Sequence, residues 1–277
     1  MYKGRFFNRE TVYVCGDYLD GDIYPVFQRP GIRRKRCKPT KEIQARLNQK
    51  NAEKKLTRLV HTNFTEKDLA LHLTYRRGSE PADELEAKKD LQNFIRRLKR
   101  LYARFGLELK YISCTEIGIR GGRVHHHLII TGGMDRDRIE QLWGKGFANS
   151  KRLQFGEDGV TGLARYMVKD KRFYKRWNQS RNLTIPEAQK RDGSVHLDEL
   201  EDLAEAIECG AGRDWFESRY PGFELVEARV YRNNTNRGVY VSFSMRRIPG
   251  AAATPEGAAD RRAYRKGAGI CSGSKEG

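Results

Sequence analysis

Apolar residues along this chain recur with two periods, and the two alternate. Thr11–Val14 and Ile23–Phe27 predict short strands, and Pro39 leads into a helical pattern over about 40–60 whose apolar members are Ile43, Leu47, Leu56 and Leu59. Leu69–Tyr75 alternates every second residue and predicts a strand. Residues about 81–105 align Leu85, Leu91, Phe94, Ile95, Leu98, Leu101 and Tyr102 on one stripe, with a basic outer face. Strands are predicted over Leu107–Glu116 and Arg123–Thr131, separated by the turn Gly118–Gly122. A short helix from Asp135 to Trp143, a strand over Phe147–Gln154 and a helix over about 160–170 follow. Ser194 fits the N-cap of an acidic helix that turns Leu197, Leu200, Leu203 and Ile207 inward. Strands Glu224–Tyr231 and Gly238–Met245, joined by Asn233–Asn236, close the pattern.

This order specifies an α+β fold in which a central antiparallel sheet is flanked by helices, rather than a doubly wound parallel sheet. Residues 1–60 are expected to form a basic N-terminal extension, 61–248 the main domain, and 249–277, rich in Ala, Gly, Ser and charge, a disordered tail. No run of eighteen apolar residues appears and mean hydropathy is −0.78, so no membrane span is expected. Met1-Tyr2-Lys3-Gly4-Arg5 lacks the apolar stretch of a signal peptide. Five widely spaced cysteines without a Cys-x-x-Cys pair argue against a disulfide framework and a thiolate zinc site, and a reducing, cytoplasmic location is expected.

Charge narrows the partner. A net +18 over 277 residues attracts polyanions, of which nucleic acid is the commonest. It is concentrated between Gln28 and Val60, with twelve Lys/Arg against two acids, and between Thr161 and Arg181, with seven against one. The cluster Arg33-Arg34-Lys35-Arg36 suits either a solvated arm or one that tracks phosphates. Lys171-Arg172-Phe173-Tyr174-Lys175-Arg176-Trp177 interleaves cations with aromatics, which suits backbone tracking and base stacking; an ordinary lysine-rich surface is the alternative. Charge by itself names no activity.

Three of the six histidines are consecutive, His125-His126-His127, inside an apolar strand. Alternation puts His125 and His127 on one face, with Cα atoms roughly 7 Å apart, and turns His126 to the other face as a core or hydrogen-bonded residue. Two imidazoles at this spacing can converge on one ion. Glu116 ends the preceding strand, so an antiparallel hairpin brings it near the pair. Two imidazoles and a carboxylate leave coordination positions open for water or phosphate oxygens; a surface glutamate is the alternative for Glu116. Downstream, Tyr166 and Lys169 are three apart, so a helix would present them together. A phenol with a pKa near 10 is a poor nucleophile unless a metal polarises the phosphate it attacks.

The combination resembles the HUH endonucleases, in particular the single-tyrosine rolling-circle replication initiators of plasmids, small phages and integrated bacterial elements. The resemblance rests on Leu73-Thr74-Tyr75, on Glu116-Ile117-Gly118 running into Arg123–His127, and on Tyr166-Met167-Val168-Lys169, in the family's order and across about 65–180. One departure is His126, where the family usually has a hydrophobic residue. The resemblance implies an RRM/ferredoxin-like core and Mg²⁺ or Mn²⁺ held by His125, His127 and Glu116. It further implies attack by Tyr166 to give a 5′-phosphotyrosine, with Lys169 assisting. Single-stranded origin DNA would then lie along Arg165, Lys171, Arg172, Lys175 and Arg176 and along the cluster Arg33, Arg34, Lys35 and Arg36. Host helicase and polymerase are further expected partners, since the chain has no Gly-x-x-x-x-Gly-Lys-Ser/Thr loop of its own. Two alternatives stay open: a nucleic-acid-binding protein without catalysis, and a transposase or relaxase of a mobile element. Relaxases usually offer three metal histidines.

Overall fold

A computed structural model describes residues 5–28, 41–117, 122–169, 175–233 and 238–251. They build two five-stranded antiparallel sheets. The first joins β1 (Arg5–Cys15), β2 (Tyr18–Gln28), β8 (Gln189–Asp192), β9 (Phe223–Asn233) and β10 (Gly238–Arg247) in the order β8-β1-β2-β10-β9. The second joins β3 (Leu69–Thr74), β4 (Tyr111–Ile117), β5 (Val124–Ile130), β6 (Ala148–Arg152) and β7 (Asn178–Gln179) in the order β6-β3-β5-β4-β7. The α+β class and the antiparallel pairing agree with the sequence pattern, except that the chain makes two sheets where one was expected.

Strand parity sorts the second sheet into two buried faces. Leu69, Leu71, Leu73, Leu128 and Ile130 meet α2 (Glu84–Arg104) and α3 (Arg136–Gln141). In α2, Leu91, Phe94, Ile95, Leu98 and Tyr102 recur at three and four residues, and Asp83 caps its start by accepting from the Glu86 amide at 2.8 Å. On the opposite face, Ile112, Cys114 and Ile129 pack with α1 (Lys41–Asn63) and α4 (Thr161–Met167) through Leu56, Leu59, Val60, Ala164 and Met167. The first sheet covers one face with α5 (Leu197–Glu208) and α6 (Arg213–Arg219). Its other face meets the basic side of α1, where Lys54 pairs with Asp22 at 2.5 Å and Arg58 with Asp20. Helix α1 therefore serves both sheets.

Several expectations change. The boundary at residue 60 falls inside α1, and β1 and β2 pair with β8 and β10 from the far end of the chain, so residues 5–28 belong to a sheet rather than to an extension. Ile43 and Leu47 are exposed, and the buried stripe of α1 begins only at Ala52. The first strand of the central hairpin starts at Tyr111, since Leu107 still closes the turn after α2 by donating to the Tyr102 carbonyl at 3.0 Å. The cap of α5 is His196, whose amide donates to Glu199; the Ser194 hydroxyl instead donates to Glu10 at 2.9 Å. Strands β7 and β8 and helix α6 are too short for periodicity to register. The turn residues 118–121 and 234–237, the Arg33–Arg36 cluster and the tail beyond 251 lie outside the described residues. No helix among the described residues is long and apolar enough to cross a membrane.

Candidate metal and tyrosine site

The site grows from the register of three strands. Across β3–β5, His72 faces His127 and Thr74 faces His125; across β4–β5, Cys114 faces His127 and Glu116 faces His125. Alternation turns His72, His125, His127 and Glu116 to the sheet face shared with α1 and α4. One ring nitrogen from each of His72, His125 and His127 lies within 4.8 Å of the others, a group able to hold a divalent metal. Glu116 Oε2 stands 3.4 Å from Nε2 of both His125 and His127.

Protonation suits coordination. Burial, reinforced by the neighbouring imidazoles, pushes His127 down to about 3, and burial likewise lowers His72, so both rings stay neutral and keep a lone pair. His125 Nδ1 lies 3.2 Å from the Arg123 carbonyl. A carbonyl only accepts, so this contact places the proton on Nδ1 and leaves Nε2 as the donor atom. Nε2 of His72 and of His127 are buried with no hydrogen-bond partner among the described residues. Two orphaned buried nitrogens in one polar cluster are costly unless something binds them. A divalent ion would satisfy both, and the neutral donor set fits the ion.

His72 is the residue that sequence reading missed. It interrupts the apolar run Leu69–Leu73 on the face opposite the leucines, which marks it as unusual, but only the β3–β5 register reveals its partner. His126 behaves as parity predicts: it is fully buried, 2.9 Å from both the Tyr75 and Thr115 hydroxyls, and lies edge-on to Trp143. Burial holds it neutral, pushed down to about 3.

Tyr166 reaches this cluster from α4. Its ring meets His127 edge-on with centroids 4.9 Å apart, and its hydroxyl lies beside the Glu116 carboxylate. Burial, and then the adjacent Glu116 carboxylate, push the phenol up to about 12. The residue is nevertheless 43% exposed, so a substrate can approach it. A seven-residue helix has little intrinsic stability, and α4 is anchored by tertiary contacts. The Val160 amide donates to His61 Nε2 at 3.1 Å, and Gly159, at φ +67°, lies so close to the His61 ring that a Cβ would come within 2.2 Å of Nε2. At the other end, Gln49 donates to the Val168 carbonyl at 3.2 Å.

The expected basic residues divide. Helix α4 stops at Met167, so Lys169 lies in the turn beyond it, exposed, with its amide donating to the Tyr166 carbonyl. Tyr166 and Lys169 thus do not share a helix face as the spacing predicts. Arg165 approaches Glu53 at 3.8 Å and Arg176 donates to Gln49, which ties both to α1. Lys175 is exposed, while Lys171 and Arg172 lie outside the described residues.

Comparison with known proteins concentrates on the same stretch. The model of a family described as replication-associated protein, of the ORF2 type, matches residues 68–171, a span that contains His72, Glu116, His125, His127, Tyr166 and Lys169. The match supports a protein of the replication-initiator kind. Among solved structures, the hypothetical protein ORF119 from Sulfolobus islandicus rod-shaped virus 1 is similar over 44% of this chain and 96% of its own, with 13% identity and a TM-score of 0.30. No curated protein matches the chain.

Proposed function

We propose that this protein is a metal-dependent endonuclease that nicks and rejoins single-stranded DNA at a replication origin, starting rolling-circle replication through a 5′-phosphotyrosine on Tyr166. One observation carries the reading: Tyr166 packs edge-on against His127 of a three-histidine cluster, with the Glu116 carboxylate beside its hydroxyl. Nucleic acid as the partner accords with the family match and with the net charge of +18.

In the reaction, the Tyr166 oxygen attacks the scissile phosphorus. The Oη–P bond forms as the P–O3′ bond breaks, the phenolic proton passes to Glu116, and the departing 3′ oxygen takes a proton from solvent water to become a 3′-OH. Glu116, whose carboxylate neighbours the hydroxyl, would accept this proton. A divalent ion held by His72, His125 and His127, with Glu116 beside them, would supply Lewis-acid stabilisation of the charge developing on the phosphate. Three imidazoles suit Mn²⁺ better than Mg²⁺, which prefers an oxygen shell. Lys169, exposed in the turn after α4, would neutralise phosphate charge. The phosphotyrosine conserves the energy of the phosphodiester, so a later 3′-OH can reverse the step and join strands.

The test is incubation of the full chain with single-stranded origin DNA and Mn²⁺, followed by a search for a peptide–DNA adduct. An adduct on Tyr166 supports the reading, and metal-dependent cleavage with the adduct elsewhere, or no cleavage at all, overturns it. His72 also favours a second reading, since three metal histidines are usual in relaxases; the same chemistry would then serve DNA transfer rather than replication.

A further inference from the structure

Away from the histidine cluster, a cleft of about 1190 Å³ opens between α1 and the face of the first sheet that α5 and α6 leave uncovered. Strand parity fills it with aromatics. Val12, Ile23, Val230, Val239 and Val241 turn toward α5 and α6, so Tyr13, Tyr24, Tyr231 and Tyr240, one from each of four strands, turn to the cleft. Tyr231 and Tyr240 are direct cross-strand partners. Helix α1 supplies the opposite, basic wall.

The cations lining the cleft are of two kinds. Lys54 and Arg58 are held by Asp22 and Asp20, and Arg232 by Glu201 and Glu208. Lys50 and Lys55 have no ion pair among the described residues, and the Lys50 ammonium lies 4.8 Å from the centre of the Tyr231 ring. Two uncommitted ammonium groups beside four phenol rings match a ligand with phosphates on one side and flat aromatic bases on the other.

We infer that this cleft binds single-stranded DNA flanking the nick, with bases stacked on its tyrosines and phosphates near Lys50 and Lys55. The occupant rests on the proposed nicking function, and α1 provides the continuity. Gln49 and Glu53 hold the segment around Tyr166, through the Val168 carbonyl and Arg165, while the next residues along, Lys50 and Lys54, face the cleft. A strand leaving Tyr166 needs only to pass around one helix to enter it. Duplex DNA, with its bases stacked internally, offers no faces to the tyrosines.

The test is fluorescence anisotropy of an end-labelled, mixed-sequence single-stranded oligonucleotide, with all proteins carrying Tyr166→Phe so that binding is read without nicking. Joint Tyr231→Leu and Tyr240→Leu substitution is expected to weaken binding on the order of tenfold or more. Lys50→Gln is expected to weaken it and to reduce the dependence of log affinity on log salt by about one ion. Unchanged affinity in a folded double variant, or equal competition by duplex, overturns the inference. Because tyrosine variants can disturb the sheet, photocrosslinking of the otherwise unaltered full chain to a 5-iodouracil strand supplies an independent readout. Crosslinks on Tyr13, Tyr24, Tyr231 or Tyr240 support the cleft; crosslinks confined to 122–169 overturn it. Failure of the two readings is distinguishable: cleft crosslinks without a Tyr166 adduct remove the nickase and leave the cleft, and the reverse result does the opposite.

Discussion

His72 and His127 face each other across the β3–β5 ladder with rings stacked, 4.7 Å between centroids and 9° between planes, and neither Nε2 has a hydrogen-bond partner among the described residues. Stacking two rings that each leave a buried nitrogen unpaired makes sense when both nitrogens serve one ligand. Replacing His72 by Ala is therefore expected to lower Mn²⁺ affinity by at least about tenfold, read by isothermal titration. Unchanged affinity would place the ion elsewhere.

Tyr166→Phe keeps the edge contact with His127 and removes only the hydroxyl. Covalent capture of DNA should vanish, while the fold and Mn²⁺ affinity persist. Gel analysis of the denatured protein–DNA adduct, beside a thermal melt, checks both halves. An adduct formed by the variant would exclude this phenol as the nucleophile.

His126 has a structural role, although it stands between two histidines of the cluster. His126→Ala leaves the buried Tyr75 hydroxyl and the half-buried Thr115 hydroxyl without their shared partner and opens space against Trp143. The expected loss of stability is about 2–4 kcal/mol, measured by urea unfolding. A loss much below that range would mean that the hydroxyls find other partners.

Acid should weaken the fold through His61. Burial pushes this ring down to about 4, and it accepts the Val160 amide bond that anchors α4. Its folded pKa lies below the ordinary 6.5, so the unfolded chain binds the proton first. The contribution is complete above pH 6.5 and falls away toward pH 4, by up to about 3 kcal/mol. His61→Gln retains an acceptor and does not titrate, so its urea midpoint should vary less across that window. An equally steep limb in the variant would assign the acid sensitivity to other groups.

Glu10, fully buried on β1, joins distant parts of the first sheet and its helices. Arg219 reaches it at 2.8 Å, and Tyr220 and Ser194 also donate to it. Burial alone would raise its pKa, but these partners hold it below the usual carboxylate range. Glu10→Gln leaves the largely buried Arg219 guanidinium without its counter-charge and should cost about 3 kcal/mol or more in chemical unfolding.

Much of the second sheet was legible because its signals are local. Alternation in Leu69–Tyr75 and Arg123–Thr131 marks strands, and the stripe of α2 marks its buried face. The parity of His125, His126 and His127 follows from the strand alone, and so does the nearness of Glu116 across a short hairpin. The first sheet was illegible as a unit, since it unites residues 5–28 with 189–192 and 223–247 and no local period records which distant strands pair. For the same reason Ser194 read as a helix cap, whereas its hydroxyl is engaged by Glu10, 184 residues away.

The sequence by itself determined the α+β class, the basic character and the residue types of the candidate histidine, glutamate and tyrosine site, because composition and side-chain alternation are properties of the chain at short range. Tertiary structure alone decided that His72 completes the cluster, that Tyr166 lies against it although its helix ends before Lys169, and that four tyrosines from four strands line one cleft. Those outcomes depend on register and on how α1 packs between two sheets. Both are set by burial summed over contacts far apart in sequence, which no window of neighbouring residues contains.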